Sequence, residues 1–432
     1  MYWEQEIETI SKQALRELQQ EKLIKTVAQA YKSPFYKKRF DSVGLKPEHI
    51  QTLNDLQKIP FTTKDDLRSA YPDLMVAAPK NEMVRMHSSS GTTGQATVIF
   101  FTRKDLSSWT NLVSRSLYMA GMRPGDAFQN MMSYGLFTGG LGFHYGAENL
   151  GAMVIPAGGG NTLKQISLIK DFKVAFLHIT PSYALHLADE LEGMKIKPAS
   201  LGLKGLFVGA EPHSEPIRKK IEELYQAPVF NSYGLSEMNG PGVGFECEHR
   251  QDIHIWEDSY ILEIINPETG EALAAGATGE LVLTCLVREG MPILRYRTKD
   301  LTFLHEKPCP CGRNHARIGR ILGRSDDMMI IKGINVFPSQ IEHVLMNIPE
   351  VGNNYQIVIG RGENHLDNIT VKVEIYSKVF HGDLRELKKI QKNIQHALKE
   401  EILIHPEVEL MEPGSLPVSQ GKAVRVIDER RL

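Results

Sequence analysis

The sequence predicts an α/β fold: a large N-terminal α/β domain bearing a β-rich subdomain, and a small C-terminal α+β domain. Three observations carry this. Between about 95 and 230, short apolar runs alternate with amphipathic stretches, the pattern of buried strands joined by helices. From about 245 to 322, closely spaced strand-like runs take over. After Gly323, helix and strand periods return over about 105 residues, enough for a second core. The expected boundaries are 1–323, with the β-rich subdomain at about 245–322, and 324–432.

Taken in order, residues about 6–31 set Ile7, Ile10, Ala14, Leu18 and Leu23 at helical spacing and predict a surface-packed helix. Val98–Phe101, Met153–Ile155, Val174–Leu177, Leu206–Val208 and Val229–Phe230 are short and apolar, and read as strands. Leu163–Asp171, Tyr183–Leu191 and Glu215–Tyr225 read as the helices between them. Ile253–Trp256, Ile261–Ile265 and Glu280–Thr284 read as strands, with the turn sequence Asn266-Pro267-Glu268-Thr269-Gly270 between the last two. Ile330–Ile331 then precedes a helix opened by Pro338-Ser339, with Ile341, Val344 and Leu345 on one face. Gln356–Ile359 reads as a strand, and Ile369, Val371, Val373 and Ile375 alternate as a half-buried strand does. Leu384, Leu387, Ile390, Ile394 and Leu398 form a helical stripe, and Val408–Leu410 follows as a strand.

Composition excludes several classes. Lys and Arg number 50 against 52 Asp and Glu, so no basic excess invites nucleic acid or an anionic membrane. No apolar run reaches the roughly 18 residues of a membrane span. The N-terminus is acidic and amphipathic, unlike a signal peptide. Four Cys in 432 residues, two of them in one triplet, argue against a disulfide framework and for a reducing cytoplasm.

The chemistry concentrates in a few segments. His87-Ser88-Ser89-Ser90-Gly91-Thr92-Thr93-Gly94 runs almost directly into Val98–Phe101. Small and hydroxylated residues leave backbone N–H groups uncovered, and these can cradle an anion such as a nucleotide phosphate. A flexible linker is the bland alternative, but a linker is not expected to end in a strand. No Gly-Lys-Ser/Thr follows, so this is not a Walker A loop. Asn231–Glu237 supplies an aromatic ring, hydroxyls and a carboxylate beyond a strand end, where α/β sheets bind ligands. Glu237 is a candidate for Mg2+, which takes oxygen ligands beside substrate phosphates. Read alone, the segment has a turn with a capping Ser as its lesser alternative. Asp300 can accept from two ribose hydroxyls, although an isolated Asp is more often a turn or cap residue.

Cys247-Glu248-His249 and Cys309-Pro310-Cys311 supply three thiols and an imidazole, the ligand count of a closed structural Zn2+ site. His254 and His315 are alternatives to His249, and reduced thiols without metal are the other reading. Cys285 lies in an apolar strand and reads as core.

In combination and order, Ser88–Gly94, Gly209–Pro212, Tyr233–Glu237, Tyr296–Asp300, Gly323–Asp327 and the late Gly421-Lys422 resemble the adenylate-forming superfamily of acyl-CoA synthetases, adenylation domains and luciferases. Within it, SPFYKKRF, IPFTTKDDLR, YGLFTGG, FVGAEP, MPILRYRTKDL and INVFPSQIE resemble the phenylacetate–CoA ligase family, over about residues 30–428. The resemblance implies that Ser88, Ser89, Ser90, Gly91, Thr92, Thr93 and Gly94 hold the β- and γ-phosphates of ATP. Gly209, Ala210, Glu211 and Pro212 would frame the adenine, with Tyr233 and Gly234 against it. Ser236 would face the phosphates, Glu237 would hold Mg2+, and Asp300 would take the ribose with Arg324 beside it. Asp326 matches the hinge and Lys422 the catalytic lysine. Tyr134, Phe137 and Gly139 would form an apolar slot for an aryl ring, although Tyr134 and Phe137 are equally read as core. Rotation about the hinge would bring Lys332 and Gly333 toward coenzyme A.

The implied activity is ATP-dependent ligation of an aryl carboxylic acid, phenylacetate first, to coenzyme A through an acyl-adenylate, releasing AMP and pyrophosphate. Indoleacetate or another arylacetate is the near alternative. A CoA-independent adenylyltransferase of the same fold is the rival enzyme, and a zinc-ribbon binding module the non-enzymatic reading. The resemblance also suggests a homodimer. Three positions depart from the family pattern: Gln95 and Val418, where Lys and Arg are frequent, and Lys299, where Gly is common.

Overall fold

Five parallel strands form the spine of the large domain, in the order Met153–Ile155, Ala127–Asn130, Phe176–Ile179, Gly205–Val208 and Val229–Leu235. Antiparallel Gly240–Glu246, Ile253–Ile255 and Arg317–Ile318 extend the sheet to eight strands. This is a computed structural model, and it describes residues 1–88, 96–211, 213–327, 329–331, 334–361, 367–377, 379, 384–417 and 424–431. Period-2 alternation divides the strand side chains between two cores. Phe128, Phe176, Phe207, Phe230 and Phe245 face the helices Arg103–Met119 and Thr138–Leu150. Leu177, Ile179, Leu206, Val208 and Val229 face Thr162–Asp171, Pro181–Gly193 and Glu215–Tyr225. Both faces are covered, which is why these strands read as continuous apolar runs.

The β-rich stretch divides between two sheets. Ile253–Ile255 and Arg317–Ile318 join the large sheet, while Tyr260–Ile265, Gly279–Cys285, Tyr296–Thr302 and Gly323–Arg324 form a separate antiparallel one. A hairpin of Met83–Ser88 and Val98–Thr102 brackets the Ser/Gly run. Beyond residue 328, Met329–Ile331 pairs with Ile334–Val336. A four-stranded sheet follows, in the order Glu407–Met411, Asp367–Ile375, Val351–Arg361 and Val426–Asp428. Helices Pro338–Met346 and Leu384–Ile402 pack on this unit, whose own core includes Ile341, Leu345, Ile357, Val371, Ile394 and Leu398.

Two sequence expectations need correction. The helix expected over 6–31 is two helices, Gln5–Glu8 and Lys12–Ala30, because Ser11 caps the second through the Ala14 N–H. Its buried face is Leu15, Gln19, Leu23, Val27 and Ala30 rather than the Ala14–Leu18 stripe. Gln19 is tolerated inside because its amide donates to the Glu257 and Tyr260 carbonyls. The strand expected at Val174–Leu177 lies two residues later, at Phe176–Ile179. Ala175 N instead makes a loop hydrogen bond to the Ala127 carbonyl.

Candidate active site

The strand Val229–Leu235 carries Tyr233 out past the parallel strands and against the second sheet. The Tyr233 hydroxyl donates to Asp300 Oδ2 at 2.6 Å, and Arg324 Nη1 donates to Asp300 Oδ1 at 3.0 Å. The same guanidinium makes a two-point contact with Asp326, at 2.9 and 3.0 Å. One arginine thus joins the expected ribose carboxylate to the expected hinge. Burial opposes the Arg324 charge, but Asp300, Asp326 and Asp327 outweigh it and hold the pKa above its ordinary value. Burial, then the Asp300 charge, holds the Tyr233 phenol well above its usual range, so it stays a donor.

Two glycines here have no room for a side chain. A Cβ at Gly234 would overlap the Gly240 carbonyl, and one at Gly209 would overlap Ser232. Ala210 next to it sits at φ +66, and Glu211 accepts from the Ser182 hydroxyl at 3.0 Å. Lys299 adopts φ +68, the left-handed conformation that favours the glycine common at this position. Glu237 is buried in the short turn Ser236–Met238, where its carbonyl accepts from Arg288 Nη1 at 2.8 Å. Its carboxylate hydrogen-bonds the Tyr296 hydroxyl, whose pKa is raised first by burial and then by that charge.

The loop before the helix Thr138–Leu150 adjoins this site. The Thr138 and Ser236 hydroxyls lie 3.1 Å apart. The Leu136 carbonyl takes the Ser88 N–H at 3.0 Å and the His87 Nδ1 at 2.9 Å, which ties the loop to the hairpin. Tyr134 is half-buried, with its hydroxyl 3.0 Å from Asn130 Nδ2 and 3.2 Å from His144 Nδ1. Burial pushes its pKa up to about 12. The half-buried Phe137 lays its ring over Gly139, where a Cβ would collide with it. Ser89, Ser90, Gly91, Thr92, Thr93, Gly94, Gln95, Pro212, Lys332, Gly333, Val418 and Lys422 lie outside the described residues.

A second cluster stands at the antiparallel edge of the large sheet. Cys247, His254, Cys309 and Cys311 are buried, with ligand atoms all within 4.8 Å of one another. His254, not His249, completes the set. His249 is exposed in the turn after Cys247 and contributes its backbone N–H to that sulfur. His254 lies between Phe245 and Arg317 in the sheet and faces inward. The alternation Ile253-His254-Ile255 was the available signal. Cys247 and Cys309 sulfurs are 3.6 Å apart, and Cys311 Sγ is 3.5 Å from His254 Nε2. Tetrahedral ligands about 2.3 Å from a Zn2+ would lie about 3.8 Å from each other, so the set fits. The N-terminal segment pins this corner. Tyr2 donates to the Cys311 carbonyl at 3.0 Å, and Arg313 pairs with Glu8 at 2.6 Å.

With this geometry in view, the likenesses are specific. The AMP-binding enzyme model matches residues 5–284, and the AMP-binding enzyme C-terminal domain model matches residues 333–430. The chain belongs to the AMP-binding enzyme family. It is 46% identical to the phenylacetate-coenzyme A ligase of Thermus thermophilus, with 100% of each chain covered. It is 44% identical to that of Escherichia coli K12, over 99% of this chain and 97% of the relative. Among solved structures, 2-hydroxyisobutyryl-CoA ligase in its postadenylation state with an acyl-AMP matches at TM-score 0.94 and 29% identity, over 100% of this chain and 93% of that one. The same ligase with CoA in its thioesterification state matches at 0.74 and 30% identity, over 99% and 92%. The two identities are nearly the same, 29% and 30%, so the difference in TM-score lies in how the domains are arranged.

Proposed function

We infer that this chain is an AMP-forming acid–thiol ligase that joins an aryl carboxylic acid, phenylacetate first, to coenzyme A. The observation that carries this is the full-length likeness to phenylacetate-coenzyme A ligases at 44–46% identity. In the first step a carboxylate oxygen of the acid bonds to the α-phosphorus of ATP, and the bond to pyrophosphate breaks. In the second, the CoA sulfur bonds to the acyl carbon of the adenylate, and AMP leaves with its oxygen. An anion attacks a polyanion, so the first transition state needs positive charge concentrated at the phosphates.

Each residue has a part in this account. Asp300 accepts from Tyr233 and from Arg324, and a carboxylate held in this way suits the ribose hydroxyls. Gly209, Ala210, Glu211 and Pro212 frame the adenine, with Tyr233 and Gly234 against it. Ser88–Gly94 receive the outer phosphates, Ser236 faces them, and Lys422 supplies an ammonium. The buried Glu237 carboxylate, with a hydroxyl beside it, fits Mg2+, which when bound would neutralise phosphate charge. Tyr134, Phe137 and Gly139 line a flat slot for the aryl ring. Asp326 serves as the hinge, and Lys332 with Gly333 meets the CoA arm after rotation.

Zn2+ suits Cys247, His254, Cys309 and Cys311 as a closed structural site, which would staple the sheet edge rather than join the chemistry. Elemental analysis is expected to find about one zinc per chain, lost in Cys309→Ser/Cys311→Ser. Metal-free, fully folded wild type would refute this. Among the described residues no helix is long and apolar enough to cross a membrane. A cytoplasmic site agrees with the four unpaired cysteines, and the homodimer rests on family resemblance alone.

AMP release from ATP and Mg2+, with a panel of arylacetic and aliphatic acids with and without CoA, tests the function. Strong CoA-dependent release with phenylacetate is expected. Release that ignores CoA would instead identify an adenylyltransferase.

A further inference from the structure

The small domain grips the nucleotide side of the large one through a carboxylate with no part in the account above. Glu342, on the helix Pro338–Met346, is 8% exposed. Its Oε1 accepts the Ser214 backbone N–H at 2.9 Å, and its Oε2 accepts the Tyr355 hydroxyl at 2.8 Å. Ser214 is the N-cap residue of Glu215–Tyr225, yet its own hydroxyl makes no capping bond and is buried without a partner. The N–H of the N-cap residue is therefore satisfied from the other domain, and the carboxylate meets the positive end of the helix dipole. Tyr355, on the strand Val351–Arg361, belongs to Glu342's own domain and aims the carboxylate. Ser214 closes the segment that begins at Gly209 and carries Glu211, so the contact lies at the far end of the expected adenine frame.

Two lighter contacts lie alongside. Asn353 donates to Asp189 at 3.0 Å, and the Lys220 ammonium sits 4.9 Å from the centre of the Tyr376 ring. A rotation that moves the small domain as one body carries Glu342, Tyr355, Asn353 and Tyr376 away together and breaks every one of these contacts. The cap then exists in one arrangement and is absent from the other.

We propose that Glu342 is an interdomain positioning residue, a latch that caps the helix Glu215–Tyr225 only in the arrangement seen here and so favours adenylation over thioester formation. The proposal rests on the two-step ligase reading. The chemistry suits a reversible latch. The acceptor is ionic, but the donor is a neutral peptide N–H, so the bond biases the equilibrium without freezing it. On release the carboxylate regains water, which offsets part of the lost contact.

Two variants attack the latch from opposite sides. Glu342→Gln keeps the shape and an acceptor for Tyr355 but removes the charge. Ser214→Pro removes the donor N–H at φ −79, a value proline accepts. In each, acid-dependent exchange of pyrophosphate into ATP is expected to fall about tenfold, the size of one charge-assisted hydrogen bond. Thioester formation from supplied acyl-adenylate and CoA is expected to hold or rise. The double variant is expected to be no worse than the worse single one, since both remove the same contact. Equal loss in both half-reactions, unchanged exchange in both variants, or strictly additive losses would overturn the latch.

Small-angle X-ray scattering without substrates gives a reading independent of turnover. Wild type is expected to fit the present arrangement, and both variants to depart from it. If wild type exchanges pyrophosphate with no acid, the ligase reading fails and scattering alone decides. Identical profiles for wild type and variants would then overturn the latch.

Discussion

Acidification should unfold this protein through a histidine linked by Asn130 to Tyr134. His178 is 3% exposed on the strand Phe176–Ile179, its ring stacked on Phe143 with centroids 3.6 Å apart. Its Nδ1 lies 3.0 Å from Asn130 Oδ1, and Asn130 in turn donates to the Tyr134 hydroxyl. Burial pushes the His178 pKa down to about 3 from an ordinary 6.5. A depressed base means that the unfolded chain binds the proton first. Stability is therefore complete above 6.5 and is lost progressively as pH falls toward about 3. At about pH 5 the unfolded imidazole has been charged across roughly 1.5 pH units, at about 1.36 kcal/mol each, or about 2 kcal/mol.

His213 is buried too and pushed down to about 3, so it adds a term of the same sign. Glu257 and Glu342, whose pKa values burial raises, act in the opposite sense. Absolute stability mixes these four with other shifted groups, among them His87, His315, Asp189 and Glu246. Comparison with His178→Gln isolates the one imidazole, because the other groups are common to both proteins. Urea unfolding followed by tryptophan fluorescence at pH 8, 6.5 and 5 is the assay. The variant is expected to be the less stable at pH 8, having lost its stacking. The gap is expected to close by about 2 kcal/mol on going to pH 5. A gap that stays constant, or widens toward acid, would refute the reasoning.

Further outcomes follow from the same geometry. Gly234→Ala is expected to cost more than about 3 kcal/mol and abolish ATP turnover, because the new Cβ meets backbone at Gly240. Gly193→Ala, with nothing within 4 Å, is expected to shift the unfolding midpoint only slightly, toward stability. Equal behaviour of the two would contradict the steric argument. Tyr233→Phe keeps the ring but deletes the donor to Asp300, so the KM for ATP is expected to rise about tenfold in a steady-state titration. An unchanged KM would remove Asp300 from the ribose role.

Legibility in the sequence followed physical simplicity. Glu215–Tyr225 was readable to the residue because Pro216 opens a strongly amphipathic helix. The small domain was readable because Asp367–Ile375 and Leu384–Ile402 each keep a clean period over a single core. Two large helices were not. Arg103–Met119 hides its face among Ser, Thr and Asn, and buries Asp105, which accepts the Glu289 and Gly290 N–H groups, and Arg115, which pairs with Asp258. Thr138–Leu150 holds four glycines, which weigh against a helix by propensity. Packing explains them. A Cβ at Gly142 would come within 2.6 Å of Trp109 and Pro241, and one at Gly146 would overlap Val113.

The site followed the same rule. Tyr233, Asp300, Arg324 and Asp326 are dispersed in sequence, and the structure joins them in one hydrogen-bonded chain. Spacing alone named His249, the nearer imidazole, where strand direction selects His254. Glu342 was quoted inside a motif but carried no signal of its own, since its partner Ser214 lies 128 residues away.

The central claim is that the acid's own oxygen attacks the α-phosphate. A single turnover with phenylacetate labelled with oxygen-18 in both carboxylate positions, ATP, Mg2+ and CoA, analysed by mass spectrometry, tests it most directly. AMP carrying one labelled oxygen and a phenylacetyl thioester retaining one are expected. Unlabelled AMP, or ADP and phosphate in its place, would contradict it.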